Sequence, residues 1–191
     1  TSKFDREIFR LFVDRVFSVK GFGTIVTGTV SSGHAKIGDK LELLPSFNQI
    51  KIRGLQSHDE DVEEIKIGQR AAINIQSIDK INIKRGYHIG ETGYFSIVNN
   101  AAVKINTLKK IKHNQRIRVH LGTQEIMARV LFINAYTQKN MPALLKFENS
   151  IVASFQDKFI IRTYSPVTTI GGGKILDINI SGKWNQIKDY I

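Results

Sequence analysis

The stretch from Phe12 to Thr29, FVDRVFSVKGFGTIVTGT, restricts the fold of this chain more than any other part of the sequence. Two segments rich in Val, Ile, Thr and Phe flank a short Lys20-Gly21-Phe22-Gly23 sequence. Such residues fit the pleated surface of a strand. The two glycines allow the backbone angles that a tight connection requires. The stretch therefore predicts a β-hairpin.

Asp14 and Arg15 interrupt the first strand of this hairpin. Neighbouring residues of a strand point to opposite faces of a sheet. One of the two charges must therefore point inward, or the strand must be bulged or lie at an edge. A charge that points inward needs a partner or a ligand, so this position is a candidate functional site.

Short segments of the same kind recur along the chain. Residues 49–55, 70–78 and 116–121 alternate apolar and polar positions, which is typical of half-buried strands. We interpret the acidic residues 59–64 as a solvated loop. We interpret the glycines at 122 and at 171–173 as turns between strands rather than ligand contacts. Many short strands at regular spacing predict an all-β barrel or sandwich.

The charge is unevenly distributed along the chain. Of the net charge of +11, +2 falls in residues 1–97 and +9 in residues 98–191. We therefore predict a domain boundary near residue 98, with domains at 9–97 and 98–180. Residues 1–8 are predicted to be a linker and residues 181–191 the start of a C-terminal extension, with Ser181 as a helix cap. A surface this basic indicates either nucleic-acid binding or an ordinary solvated face.

Several classes of function find no support in the sequence. The chain has no cysteine, which excludes disulfides and thiolate metal sites, and it has no apolar run of the ~20 residues that a membrane helix needs. It contains no G-x-x-x-x-G-K-[ST] phosphate loop, and its five histidines are scattered. We predict no catalytic residue and no metal site, and therefore no enzyme within this chain.

Several motifs, in order, resemble the SelB-type family of selenocysteine-specific elongation factors, a branch of the translational GTPases. The hairpin motif resembles the opening of the second domain of these proteins. The further matches are Gly38-Asp39, Arg53-Gly54-Leu55-Gln56, Gly68-Gln69-Arg70-Ala71, Arg85-Gly86, Val119-His120-Leu121-Gly122-Thr123, Asp157-Lys158-Phe159 and Thr169-Ile170-Gly171-Gly172-Gly173.

The resemblance implies two consecutive antiparallel β-barrels of the elongation factor Tu domain II and III type. It also implies that Asp14, Arg15 and Arg70 line the pocket for the selenocysteinyl end of the tRNA. A selenol is ionised near pH 7 and a serine hydroxyl is not, so guanidinium groups, which stay protonated, would favour selenocysteine. From the residues alone, a carboxylate–arginine pair that merely stabilises the barrel is an equally open interpretation.

The same resemblance implies that the second barrel holds the tRNA stem. The candidate tRNA-binding residues are Lys104, Lys109, Lys110, Lys112, Arg116 and Arg118. The implied partners are selenocysteinyl-tRNA, the ribosome and, through a missing C-terminal region, the hairpin of the selenoprotein mRNA. GTP and Mg would bind in a missing N-terminal domain, and the location would be cytoplasmic, without a membrane. Two alternatives remain open: the barrels of another translational GTPase, and a ribosome- or protein-binding scaffold without tRNA cargo.

Overall fold

A computed structural model describes residues 7–77, 83–132 and 139–180 of the chain. The described residues form β-strands joined by turns and contain no helix. The chain divides into two compact units between Phe95 and Ser96.

The first unit is a closed six-stranded barrel with three short additional strands. Neighbouring strands of the ring follow the order β4-β9-β1-β2-β8-β5, and pairing of β4 with β5 closes it. Strand β6 extends the sheet beside β5, and β3 pairs with β7. The strands are β1 Arg10–Val19, β2 Gly23–Ser32, β3 His34–Lys36, β4 Lys40–Leu44, β5 Asn48–Ser57, β6 Glu60–Val62, β7 Glu64–Lys66, β8 Arg70–Ser77 and β9 His88–Gly90.

The second unit is also a closed barrel, with strand order β10-β13-β12-β11-β14-β15 and closure between β15 and β10. All its strand pairs are antiparallel, as in the first unit. The two barrels confirm the predicted fold class. The strands are β10 Ser96–Thr107, β11 Gln115–Leu121, β12 Gln124–Phe132, β13 Met141–Ala153, β14 Lys158–Thr163 and β15 Thr169–Asp177.

Each barrel encloses its own apolar core. In β11 the side chains of Ile117, Val119 and Leu121 are buried while the residues between them are partly exposed, which confirms the predicted alternation. The first core has the same character and includes Val13 of β1 and Ile73 of β8. Where apolar positions recur every second residue, as in β11, the strand buries one face against the barrel interior.

The predicted hairpin is present. Val19 of β1 lies opposite Gly23 of β2, and Gly21 and Gly23 have φ angles of 86° and 90°. Gly122, with φ 57°, likewise begins the two-residue loop between β11 and β12. A side chain is unfavourable in this left-handed region, so these glycines make turns as predicted.

Two local predictions are wrong. Residues 59–64 do not form a loop throughout, because residues 60–62 belong to β6 and Glu64 begins β7. Gly171, Gly172 and Gly173 are not a turn but lie inside β15, between β10 and β14. The predicted helix start at 181–191 and most of the predicted linker at 1–8 lie outside the described residues.

Candidate functional site

Asp14 lies in a β-bulge of β1. Its neighbours Val13 and Arg15 pair with Gly28 and Thr27 of β2, and the register shifts between them. The bulge resolves the conflict between the adjacent charges, because it adds one residue to β1 and breaks the alternation there. Gly28 is required opposite the bulge, since a Cβ on it would lie 2.1 Å from the carbonyl oxygen of Phe12.

Arg70, the first residue of β8, binds the Asp14 carboxylate. Its Nη2 donates a hydrogen bond to Asp14 Oδ2 over 2.8 Å. Strand β2 lies between β1 and β8, with Thr29 opposite Arg70. The two side chains therefore connect β1 and β8 across β2. The structure thus brings together Asp14 and Arg70, two of the three residues predicted for the pocket.

A third residue of this cluster, Arg85, is absent from the predicted site. Its Nη1 lies 3.7 Å from Asp14 Oδ1. The main chain around it is fixed to β1: the Val13 amide donates to the Tyr87 carbonyl, and the Gly86 amide donates to the Val13 carbonyl. The Arg85-Gly86 pair contributes to the family resemblance, but no local pattern places it beside Asp14.

The environment of Asp14 favours its ionised form. The hydrogen bond from Arg70 lowers the pKa of this carboxyl, and the charges of Arg85, Arg70 and Arg15 lower it further, against an opposing effect of burial. Arg15 lowers the pKa of Asp14 through its charge and not through an ion pair, because the ion pairs of Asp14 are with Arg70 and Arg85. One carboxylate among three guanidinium groups leaves a net charge of about +2, because arginine stays protonated.

The arginines of this cluster face solvent, and Arg70 borders a cavity. The Arg70 and Arg85 side chains are 58% and 70% exposed, whereas Asp14 is 21% exposed. Arg70 also lines a shallow cavity of about 330 Å³, together with Thr27 and the acidic Asp59. The buried Thr27 Oγ1 has no hydrogen-bond partner in the described part of the chain. The cluster can therefore accept a small anionic or polar group from solvent.

A larger cleft of about 520 Å³ adjoins this cavity in the same barrel, and Gln56 and Ala72 line both. Its walls are mainly apolar and include Phe22, Ile25 and Leu55. The first barrel thus places an apolar cleft next to a cationic cluster.

The predicted RNA-binding residues of the second barrel fall into two groups. Lys109, Lys110 and Lys112 lie on the exposed connection between β10 and β11, and Arg116 and Arg118 follow on β11. Lys104 is separate from them, because it lies within β10 opposite Lys174 of β15.

The two arginines of β11 already have carboxylate partners. Arg116 donates to both oxygens of Glu148, with distances of 2.7 and 2.6 Å, and Arg118 pairs with Glu125. Both guanidinium groups also lie against the ring of Tyr164, at 4.6 and 5.4 Å from its centroid. These contacts hold the arginines in place, and an incoming phosphate would compete with the carboxylates.

The described residues contain no group of three or more His, Cys, Asp or Glu side chains that could hold a metal ion. Within the same ranges, no helix has the length and apolar character to cross a membrane.

Comparison with known proteins gives matches to two domain families. Residues 23–90 match the family of elongation factor Tu domain 2, and residues 98–181 match the β-barrel domain of the selenocysteine-specific elongation factor. A selenocysteine-specific elongation factor of Desulfomicrobium baculatum is 32% identical over 178 residues, which cover 90% of this chain and 28% of that relative. The chain thus spans less than a third of the length of this relative.

Solved structures of selenocysteine-specific elongation factors share this fold. A bacterial selenocysteine-specific elongation factor, EF-Sec, superposes with a TM-score of 0.81 at 26% identity, over 99% of this chain and 32% of that one. Translation elongation factor SelB from Methanococcus maripaludis, in its apo form, gives 0.80 at 26% identity, over 92% and 44% of the two chains.

Proposed function

This chain carries two consecutive domains of the selenocysteine-specific elongation factor family, and we propose that together they bind selenocysteinyl-tRNA for delivery to the ribosome. The first barrel would hold the selenocysteinyl end, and the second would hold the stem. GTP and Mg would bind a further domain outside this chain, so that delivery is coupled to GTP hydrolysis elsewhere in the cytoplasmic factor. The hairpin of the selenoprotein mRNA would be bound by another region.

The observation that carries this proposal is the cluster of Asp14, Arg70 and Arg85. Its net positive charge suits an anionic selenolate and gives no such advantage to a neutral serine hydroxyl. One guanidinium–selenolate contact at about 4 Å has a gross Coulomb energy of about 4 kcal/mol at an effective dielectric of 20. Solvent exposure and desolvation remove much of this energy, but a remaining ~1.4 kcal/mol would already give about tenfold discrimination.

Within the cluster we assign the carboxylate a positioning role. Asp14 fixes Arg70 through a hydrogen bond and lowers the repulsion between Arg70 and Arg85. Arg15, exposed on the same strand, adds positive charge without a direct ion pair to Asp14. Arg70 and Arg85 would then contact the selenolate, with Arg15 contributing to the field.

For the second barrel, the proposal rests on the excess of positive charge in residues 98–191. Lys109, Lys110, Lys112, Arg116 and Arg118 would contact phosphates of the tRNA stem, since double-stranded RNA is recognised mainly by shape, phosphate and 2′-OH contacts. Such contacts release counterions, so binding should weaken steeply with salt.

The test is a competition between selenocysteinyl-tRNA and seryl-tRNA for a full-length protein that contains this chain, with GTP bound. We expect the wild type to prefer selenocysteinyl-tRNA and Arg70→Ala to lose most of that preference. Arg70→Lys should retain part of it, because the charge remains while the planar fork is lost. Lys40→Ala, which removes an exposed charge elsewhere on the first barrel, is the control.

Equal binding of the two tRNAs by the wild type would indicate a general aminoacyl-tRNA carrier. An absence of tRNA binding would indicate a scaffold that contacts the ribosome or another protein. A preference that survives Arg70→Ala would contradict the assignment of the pocket while leaving the family function intact.

A further inference from the structure

A second carboxylate, that of Asp59, lies beside Arg70 in the first barrel. Asp59 belongs to the two-residue turn between β5 and β6, whose ends pair at Ser57 and Glu60. Strand β8 lies between β2 and β5, so Arg70 has Asp14 on one side and this turn on the other. The Ser57 hydroxyl donates to the Arg70 carbonyl over 3.1 Å, which ties the turn to the start of β8.

Asp59 and Arg70 both line the cavity of about 330 Å³. In the described part of the first barrel they form no ion pair with each other, and Arg70 binds Asp14 instead. Among the residues that the structure describes, the Asp59 carboxylate has neither a hydrogen bond nor an ion pair, including with His58 on the same wall. No contact of the fold depends on this charge, so its field acts on whatever enters the cavity.

The guanidinium groups of the cluster do not by themselves distinguish selenocysteine from other anionic residues. Arginine binds carboxylates through paired, charge-assisted hydrogen bonds, and aspartyl and glutamyl side chains are ionised near pH 7. Either could therefore compete with selenocysteine for Arg70 and Arg85. Specificity against a competitor requires a contact that weakens the binding of that competitor.

Asp59 provides such a contact. A selenolate is one charged atom on a single methylene group, whereas a carboxylate carries two oxygens and extends farther from the ester that joins it to tRNA. A carboxylate held at Arg70 thus fills more of the shared cavity and brings its charge closer to Asp59. Repulsion between like charges grows as their separation falls, so the carboxylate is disfavoured more than the selenolate.

We propose that Asp59 is a specificity-determining residue that weakens the binding of aminoacyl groups ending in a carboxylate. The assignment rests on the proposed function, because it takes the cluster around Arg70 as the pocket for the amino acid. The place of Asp59 beside Arg70 follows from strand order, the Ser57 hydrogen bond and the shared cavity. The two carboxylates thus differ in role: Asp14 positions Arg70, and Asp59 selects against larger anions.

The test uses a full-length protein that contains this chain, with GTP bound, and one tRNA charged with selenocysteine, serine, aspartate or glutamate. Competition between pairs of these ligands removes the contribution of the tRNA body. The variant is Asp59→Asn, which removes the charge and keeps the shape, and asparagine tolerates the φ of 64° found at this position. Glu60→Gln is the control, because it removes the adjacent exposed carboxylate, which lines neither of the two cavities.

Asp59→Asn should bind aspartyl- and glutamyl-tRNA about two- to fivefold more tightly relative to selenocysteinyl-tRNA, as expected for the loss of one repulsion between exposed charges. The gain should shrink in about 0.5 M salt, which screens charge and leaves shape unchanged. The preference over seryl-tRNA should change by less than about twofold, and Glu60→Gln should behave as the wild type. Asp59→Gly, which is also compatible with this φ, should show the same gain.

The proposal is wrong if neither Asp59 variant gains affinity for the carboxylate-bearing tRNAs, if Glu60→Gln gains as much, or if the gain does not depend on salt. Thermal unfolding confirms that each variant is folded. Any of these results, together with an intact wild-type preference for selenocysteinyl- over seryl-tRNA, refutes the role of Asp59 and leaves the proposed function standing. A wild type that binds all four charged tRNAs equally, or none of them, overturns both.

Discussion

Arg70 donates a hydrogen bond to Asp14 across an intervening strand, with 2.8 Å between Nη2 and Oδ2, although the two residues are 56 positions apart in the chain. The bulge at Asp14 and the start of β8 at Arg70 bring the two side chains together. The same carboxylate also faces Arg85. This arrangement is the centre of the proposed selenocysteinyl site, and its energetics can be tested without tRNA.

Asp14→Asn should change how stability depends on pH. The folded-state pKa of Asp14 is lower than its unfolded value, which is near 3.9. Its ionisation therefore stabilises the fold above that value, and the effect is lost as pH falls through the folded-state pKa. Because the arginines are mostly exposed, the loss at pH 6 should be under about 1 kcal/mol.

Urea unfolding of wild type and Asp14→Asn at pH 6 and pH 2.5 checks this prediction. The difference in the free energy of unfolding should be present at pH 6 and smaller at pH 2.5, because the Asp14 carboxylate loses its charge as the pH falls through its lowered folded-state pKa. A difference of equal size at both values would show that Asp14 acts by packing rather than by charge.

Arg85→Ala should reduce the preference for selenocysteinyl-tRNA over seryl-tRNA by about two- to fivefold, which corresponds to ~0.5–1 kcal/mol. We expect a smaller effect than for Arg70→Ala, because Arg85 is more exposed and lies farther from Asp14. Lys84→Ala is the matched control, since it removes an exposed positive charge from the same turn. Competition binding measures the preference, and equal losses in the two variants would mean that Arg85 has no specific role.

Glu148→Gln should strengthen RNA binding. Glu148 holds the Arg116 guanidinium through two hydrogen bonds, and a phosphate must compete with this carboxylate. Removing the negative charge should raise tRNA affinity at low salt by about two- to fivefold, as expected for one exposed ion pair. Glu91→Gln, at an exposed position of the first barrel, should have little effect. Unchanged or weaker tRNA binding by Glu148→Gln in a filter-binding or fluorescence titration would argue against Arg116 as a phosphate contact.

Gly173→Ala should destabilise the second barrel. A Cβ at this position would lie 2.2 Å from the Lys104 carbonyl oxygen and 2.8 Å from Cζ of the buried Phe159. Relief of this overlap requires β10 and β15 to move apart, at a cost of about 1–3 kcal/mol. Gly54→Ala is the control, because its Cβ would meet only Asn74 Cβ, at 3.8 Å. Chemical denaturation of both variants checks the prediction, and comparable stability of the two would show that the barrel accommodates the methyl group.

The local sequence predicts much of the strand structure, and the physical basis is simple. Alternation in residues 116–121 and the turn at Gly21 each depend on residues that are adjacent in the chain. The conflict between Asp14 and Arg15 also indicates that β1 is irregular. The family resemblance adds the two-barrel architecture and the expected roles of Arg70 and Asp14.

The features that the sequence did not predict depend on which strands are neighbours in the folded protein. The glycines at 171–173 are compatible with a turn when read alone, and only the close approach of β10 and β14 shows that they belong to a strand.

The partners of charged side chains are decided in the same way. Asp14 is adjacent to Arg15 in sequence, but register and the bulge direct it to Arg70 and Arg85. Lys104, Lys158 and Lys174 are far apart along the chain and become neighbours only through the order β10-β15-β14. Sequence alone thus determined the strands with clear alternation, such as β11, because alternation is a property of neighbouring residues in the chain. Tertiary structure decided which charges meet, because strand order and register join residues that no local pattern connects.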